Sequence, residues 1–203
     1  MKSRRETNIA ETRAALMRIA RRHFAREGYS GAEIARIAAE ARVTTGAIYH
    51  HFSSKKGLFQ AVAEELEEEI LEVAAAAGGD DPWRRLQAGF EKLIDVCAAP
   101  DVQRIIFVEA PQVIGPDAWR KIELRYAFGA MRKVLAALGD AGITRPYPVD
   151  LVARLLLALL RETATEVARS KNNPAVRAQI TELVAGVFGV LSNPTAKARG
   201  RGE

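Results

Sequence analysis

The chain has 203 residues, of which 48% are hydrophobic and 27% charged, enough for one or two domains around a substantial core. A mainly disordered state is thereby excluded, and one cysteine (Cys97) with three histidines (His23, His50, His51) fits neither a disulfide framework nor a structural zinc site, so no metal or cofactor is expected. The formal charge of +5 is local: residues 1–60 hold 12 Lys and Arg against 5 Asp and Glu, or +7, while residues 61–203 hold 18 against 20, or −2. Such asymmetry fits a nucleic-acid-facing end joined to a neutral body, or a solvated basic helix surface. No apolar stretch follows the basic start Lys2-Ser3-Arg4-Arg5, and the longest apolar run, Leu155 to Leu160, has six residues. Neither a signal peptide nor a membrane span is expected, and the expected location is cytoplasmic.

Apolar residues recur at steps of three and four along nearly the whole chain, which predicts an all-α fold of about nine helices and no sheet. The first helix starts at Ser3 or Asn8, each three residues before a glutamate, and ends at Glu27, with Gly28 free to take a left-handed turn. Ile9, Leu16, Ile19, Ala20, His23 and Phe24 share one face of it, and His23 is expected at the core edge. Ser30 and Glu33 are spaced as a capping box for a short second helix bearing Ile34, Ile37, Ala38 and Ala41. A third segment, Thr44 to Phe52, follows after a tight connection, so the three together make a helix-turn-helix unit. A long fourth helix runs from about Lys55 to Ala76.

Gly78-Gly79-Asp80-Asp81-Pro82 is the clearest break, with Asp as cap and Pro at the first helical position. Beyond it come a helix to near Pro100, a short one from Asp101 to Glu109 stopped by Pro111, and another from Pro116 to Leu138. The last two are expected at Val149 to Ser170 and from Pro174 to Leu191. The chain is thus divided into residues 1–54, a connecting helix 55–77, a helical domain 78–191 and an unstructured tail 192–203.

The stretch Phe24-Ala25-Arg26-Glu27-Gly28-Tyr29-Ser30, followed by Ile37 to Lys55 and ending at Leu58, resembles the DNA-binding region of the tetracycline-repressor (TetR) family of bacterial transcriptional regulators. It covers about a quarter of the chain. The resemblance implies a dimeric, sequence-specific transcriptional regulator, a repressor released from a palindromic double-stranded DNA operator by a small apolar or aromatic effector. On the residues themselves, the small Gly46-Ala47 pair allows a helix N-terminus to approach DNA closely, and Ile48 and Phe52 turn inward. The positions of Thr44, Thr45, Gly46, Tyr49, His50 and Lys55 lie at the DNA in the family; Arg5, Ser30 and Arg42 join them as expected contacts. Arg42 stands where the family usually has glycine, which implies a positive φ for a residue that pays for it. His50 and His51 diverge by about 100° on a helix and do not share a metal ion.

For dimerisation, Leu155 and Leu159 of the penultimate helix and Ile180, Leu183, Val184, Val187 and Phe188 of the last are the expected interface, as in the family's four-helix pairing. Residues 83–145 concentrate bulky side chains, and the expected effector site comprises Phe90, Cys97, Phe107, Trp119, Tyr126 and Met131, with Arg104, Glu109 or Glu162 as polar anchors. Catalysis is not expected, since no nucleophile and base pair, phosphate loop or metal cluster is present in the sequence. The alternative reading is a helical small-molecule carrier without DNA binding.

Overall fold

The computed structural model describes the backbone of residues 4–193 and the side chains of residues 11–193. Among the described residues there are nine helices: α1 (Arg4–Gly31), α2 (Ile34–Glu40), α3 (Thr45–Phe52), α4 (Lys55–Ala75), α5 (Pro82–Cys97), α6 (100–114), α7 (116–140), α8 (Val149–Arg169) and α9 (Pro174–Leu191). The fold is all-α, and β pairing among these residues is confined to one bridge between Thr144 and Ser192. Packing divides the chain into residues up to Glu67 together with Pro100–Arg120, and Glu68–Ala99 together with the residues from Lys121 onward. Packing and chain order draw different boundaries, because residues 100–120 are built into the first unit.

In the first unit the rings of Phe24 on α1 and Phe59 on α4 meet edge to face at 5.0 Å, and Tyr29 joins Phe59 at 5.3 Å. Leu16, Ile37, Ile48, Leu58 and Leu66 are fully buried around them, each worth about 1.5–3 kcal/mol of apolar transfer. Gly28 (φ 76°, ψ 171°) interrupts α1, which strips the carbonyls before it and the amides after it of their intrahelical partners. α6 supplies replacements. The Arg104 guanidinium donates to the carbonyls of Ala25 (3.0 Å) and Arg26 (2.9 Å), while Glu109 accepts from the Tyr29 amide at 2.8 Å.

Three local expectations are corrected. α2 begins at Ile34 with Glu33 at its cap position and no side-chain cap, so the Ser30–Glu33 box does not form; the turn after Gly28 carries helical geometry through Gly31 instead. Pro111 does not end α6. A π-helical stretch, Gln103–Glu109, precedes it, with the Ala110 amide reaching back to the Ile105 carbonyl, and this wider turn accommodates a ring that lacks the ordinary donor. The tail expected to be unstructured from 192 begins with two ordered residues: the Arg145 amide donates to Leu191, and the Asn193 amide donates to Ile143. Residues 194–203 lie outside the described residues.

In the second unit, Phe188 of α9 is packed against Trp83 (5.5 Å) and Phe90 (5.3 Å) of α5. Val152, Ala153, Leu156, Leu160 and Ala164 form the buried stripe of α8. Asp81 caps α5 by accepting from the amides of Trp83 and Arg84, and Asn173 does the same for Ala175 in α9.

The α3–α4 junction is tight. Ser53 adopts φ 63°, and Ser54 caps the new helix by accepting from the Gly57 amide at 2.9 Å. A Cβ on Gly57 would stand 2.0 Å from the Phe52 carbonyl oxygen. Gly57→Ala is therefore expected to lower unfolding stability by about 1–3 kcal/mol, read from the urea midpoint; an unchanged midpoint would show that this turn yields without cost.

Candidate DNA interface and interior cavity

α3 is short, and its start is built by a side chain: Thr44 Oγ1 accepts from the Ala47 amide at 3.1 Å, satisfying one of the donors a helix start leaves open. The two small residues at its head, Thr45 and Gly46, are exposed, as are Tyr49 and His50 one turn later, while Ile48 and Phe52 are buried. α3 carries no acidic residue. The turn before it is a Schellman closure, in which the Val43 amide bonds the Ala38 carbonyl and the Arg42 amide bonds that of Ala39. Arg42 occupies the left-handed position at φ 55°, a conformation costing a non-glycine residue about 1–2 kcal/mol, with its side chain exposed.

Lys55 and Ser30 meet at the other edge of this surface. The Lys55 ammonium donates to the Ser30 carbonyl at 3.3 Å and lies 4.8 Å over the Tyr29 ring. Arg5 is in α1, but its side chain falls outside the described residues. The His50 and His51 rings diverge, with centroids 5.7 Å apart, and among the described residues no cluster of potential metal ligands occurs.

α2 is tied to α1 by charge. Glu40 pairs with the Arg22 guanidinium and shares a hydrogen with the buried His23 Nε2 at 2.8 Å. Arg36 reaches Glu27 at 3.2 Å, and His23 Nδ1 stands 3.4 Å from the same carboxylate. Sequence periodicity placed His23 at the core edge, but nothing in the spacing identified Glu27 and Glu40 as its neighbours. The hydrogen bond from His23, then that from Arg22, holds the Glu40 carboxyl below its ordinary value; the Arg26 hydrogen bond does the same for Glu27.

The second unit contains a cavity of about 630 Å³ lined by α4, α5, α7, α8 and the turn after α7. Its wall is almost entirely aliphatic: Ile70, Leu71, Ala74, Leu86, Ala127, Ala130, Val134, Leu157 and Leu160 among others, with Arg85 the one charged side chain in the lining. Of the expected effector residues, Phe90 and Met131 face this space. The others are elsewhere: Cys97 is buried in the core, Tyr126 is buried and donates its hydroxyl to Glu68 at 2.9 Å, and Glu162 is exposed beside Arg161. Arg104, Phe107, Glu109 and Trp119 belong to the first unit, where Arg104 and Glu109 are committed to the end of α1. The sequence expectation followed aromatic bulk, whereas this cavity is opened by small residues, Ala127, Ala130, Ala137 and Ala141 among them.

The expected dimer residues also separate into two sets. Ile180, Val184 and Phe188 are buried within the unit, whereas Leu155 and Leu183 are 60% and 57% exposed, with Leu151 and Val190 beside them. Leu159 and Val187 are half-buried. α9 is long and apolar enough to cross a membrane by length and composition alone.

Comparison with known proteins identifies the family. Residues 16–62 match the family of bacterial regulatory proteins, tetR family, and residues 83–191 match the tetracyclin repressor-like C-terminal domain. The chain belongs to the TetR family. Within the family it is 32% identical over 170 residues to the HTH-type transcriptional repressor BepR of Brucella suis, covering 77% of this chain and 80% of that one. A solved TetR-family transcriptional regulator from Pectobacterium atrosepticum aligns over 95% of this chain and all of its own, at 29% identity and a TM-score of 0.72. FadR of Bacillus subtilis, solved in complex with stearoyl-CoA, shares the fold at 18% identity and a TM-score of 0.70, over 84% of this chain and 96% of that one. This TetR-family chain is accordingly a transcriptional regulator with a DNA-binding helix-turn-helix.

The sign of the Glu40 effect fixes a pH dependence. A carboxyl whose folded value is lowered stabilises above its unfolded value and loses that contribution as pH falls through the folded one. Urea midpoints of wild type and Glu40→Gln should therefore differ at neutral pH and converge as pH drops below about 4.3. A gap independent of pH would remove the ionised Glu40 from the account of how α2 is held.

Proposed function

We propose that this regulator is a homodimeric cytoplasmic repressor that reads a palindromic operator through α3 and is released by a small apolar effector. The observation that carries the reading is the outward face of α3: a capped helix start of small residues, free of acid and flanked by Arg42 and Lys55. Thr45 and Gly46 amides at such a start favour phosphate, and Tyr49 and His50, one turn further, reach base edges or backbone. Arg5, Ser30, Arg42, Thr44 and Lys55 frame the contact. In this reading residues 1–54 are the DNA-binding domain, α4 is the connection, and 78–191 bind effector and partner.

One such helix reads few base pairs, so a second copy supplies the other half-site. The exposed apolar residues of α8 and α9 are the proposed contact. Leu183, Gly186 and Val190 lie three and four residues apart on α9, and a Cβ on Gly186 or Gly189 would meet nothing within 4 Å, which suits close crossing by a partner helix. The cavity is the proposed effector site, with Phe90 and Met131 in its wall. FadR supports the reading to the extent that a protein of this architecture was solved with an acyl ligand. An effector that prefers one arrangement of the two reading helices weakens operator binding by that preference and no more.

Footprinting on DNA flanking its own gene provides the operator for the tests. Tyr49→Ala and His50→Ala should each weaken binding by roughly five- to tenfold without moving the thermal midpoint by more than a few degrees, and Lys55→Ala should reduce the salt slope of binding by about one. Unchanged affinity in all three would refute α3 as the reading helix. Leu155→Glu with Leu183→Glu should shift the protein to a monomer in sedimentation, because a charge buried unpaired costs about 3–5 kcal/mol; a dimer persisting with unchanged affinity would place the interface elsewhere.

A further inference from the structure

The cavity's wall specifies the chemistry of its occupant beyond being apolar. From the lining of this space we infer that it takes an unbranched aliphatic chain ending in a single anionic head, with Arg85 as the group that holds the head. The inference rests on the effector-site reading of this cavity.

Two features of the wall carry it. The first is what the wall lacks: apart from Arg85, every side chain in it is aliphatic, alanine, glycine, proline, methionine or the ring of Phe90. A ligand with several polar groups would lose hydrogen bonds to water and regain none, and a flat polycyclic ligand would find one ring to stack on. A flexible hydrocarbon chain meets the same wall at no such loss, and the alanines on α7 give it depth. The π-helical stretch Leu124–Phe128 carries Ala127 into the wall, the kind of local widening that recurs at functional sites. Gly129 permits it, since a Cβ there would lie 2.9 Å from the Leu124 carbonyl oxygen.

The second feature is the one charge. Arg85 sits in the first turn of α5 and is exposed as well as lining the cavity, which puts it at the mouth. Among the described residues no carboxylate forms an ion pair with it. A guanidinium there matches a carboxylate with two parallel hydrogen bonds, and with no carboxylate in the wall a cationic amphiphile has no complement. A free carboxylate and an acyl thioester share the aliphatic chain, but only the former brings its charge to the chain's end, where Arg85 waits.

The test is calorimetric titration of the full-length protein with decanoate, decanol, decyltrimethylammonium and decanoyl-CoA, each below its micelle concentration. Decanoate should bind about tenfold more tightly than decanol, the ammonium should not bind measurably, and decanoyl-CoA should bind more weakly than decanoate. Affinity should rise about fourfold for each methylene from octanoate to dodecanoate. Arg85→Gln should erase the preference of decanoate over decanol while leaving decanol binding unchanged. Ala130→Phe, which narrows the cavity, should weaken decanoate binding in a protein whose circular dichroism is that of wild type. Equal affinity for decanoate and decanol, tighter binding of the ammonium or of decanoyl-CoA, or decanoate affinity unchanged by Ala130→Phe would each overturn the inference. Decanoate that binds as described but leaves affinity for the footprinted DNA unchanged supports this ligand class and defeats the effector role. A neutral compound that releases DNA from a protein decanoate does not bind does the reverse.

Discussion

The packing of Phe24, Tyr29 and Phe59 is the constraint from which the first unit is built. α1 and α4 are held at a fixed crossing by rings 5.0–5.3 Å apart, and α2 and α3 are left to lie across them with Ile37, Ile48 and Phe52 pointing in. The outer side of α3 then follows from helical geometry, since Ile48 and Phe52, one turn apart, face inward and leave Tyr49 and His50 between them exposed. The arrangement requires Tyr29 to turn back toward Phe59 directly after α1. An uninterrupted helix would carry it onward, and the break at Gly28 is what releases it. The break leaves polar backbone unpaired, and α6 answers with one guanidinium and one carboxylate. A hydrophobic cluster thus dictates a backbone irregularity, and the irregularity dictates where two charged side chains must go.

The outer face of α3 and the cavity of the second unit differ in what they exclude. The face of α3 excludes negative charge and bulk at its start; the cavity excludes polarity and tolerates one cation. The composition expresses both. The net +5 resolves into a basic first sixty residues and a nearly neutral remainder, and within that remainder one charge, Arg85, stands in the cavity wall. Charge counted over a domain speaks to solubility and long-range attraction, whereas charge at one position in an apolar wall speaks to which ligand fits.

The helices were legible because apolar spacing and breakers agree at almost every boundary: Asp81-Pro82, Gly115-Pro116 and Asn173-Pro174 all start helices where they stand. Pro111 was misleading because proline ends an α-helix but not a helix that widens to a π turn just before it, and no local sequence rule signals that widening. The face of α3 could be read from Ile48 and Phe52, four apart, together with the resemblance. The cavity could not, because emptiness is a property of residues that are too small to fill a space, and the sequence advertises large ones. Phe107, Trp119 and Tyr126 stood out by size and lie outside the cavity lining, whereas Ala130 and Arg85 are part of it. Arg104 and Glu109 were expected as polar anchors for an effector; that they serve the end of α1 depends on a contact 80 residues away in sequence.

That contact ties two positions into one. Glu109 places one carboxylate oxygen on the Tyr29 amide and the other 2.6 Å from where a side chain on Gly28 would begin. A side chain at Gly28 would both strain the positive φ and push the Glu109 carboxylate aside, and a shortened Glu109 would leave the Tyr29 amide without its acceptor. The two substitutions made together should cost less than the sum of each made alone. Gly28 and Glu109 are thus one structural unit written at two distant places.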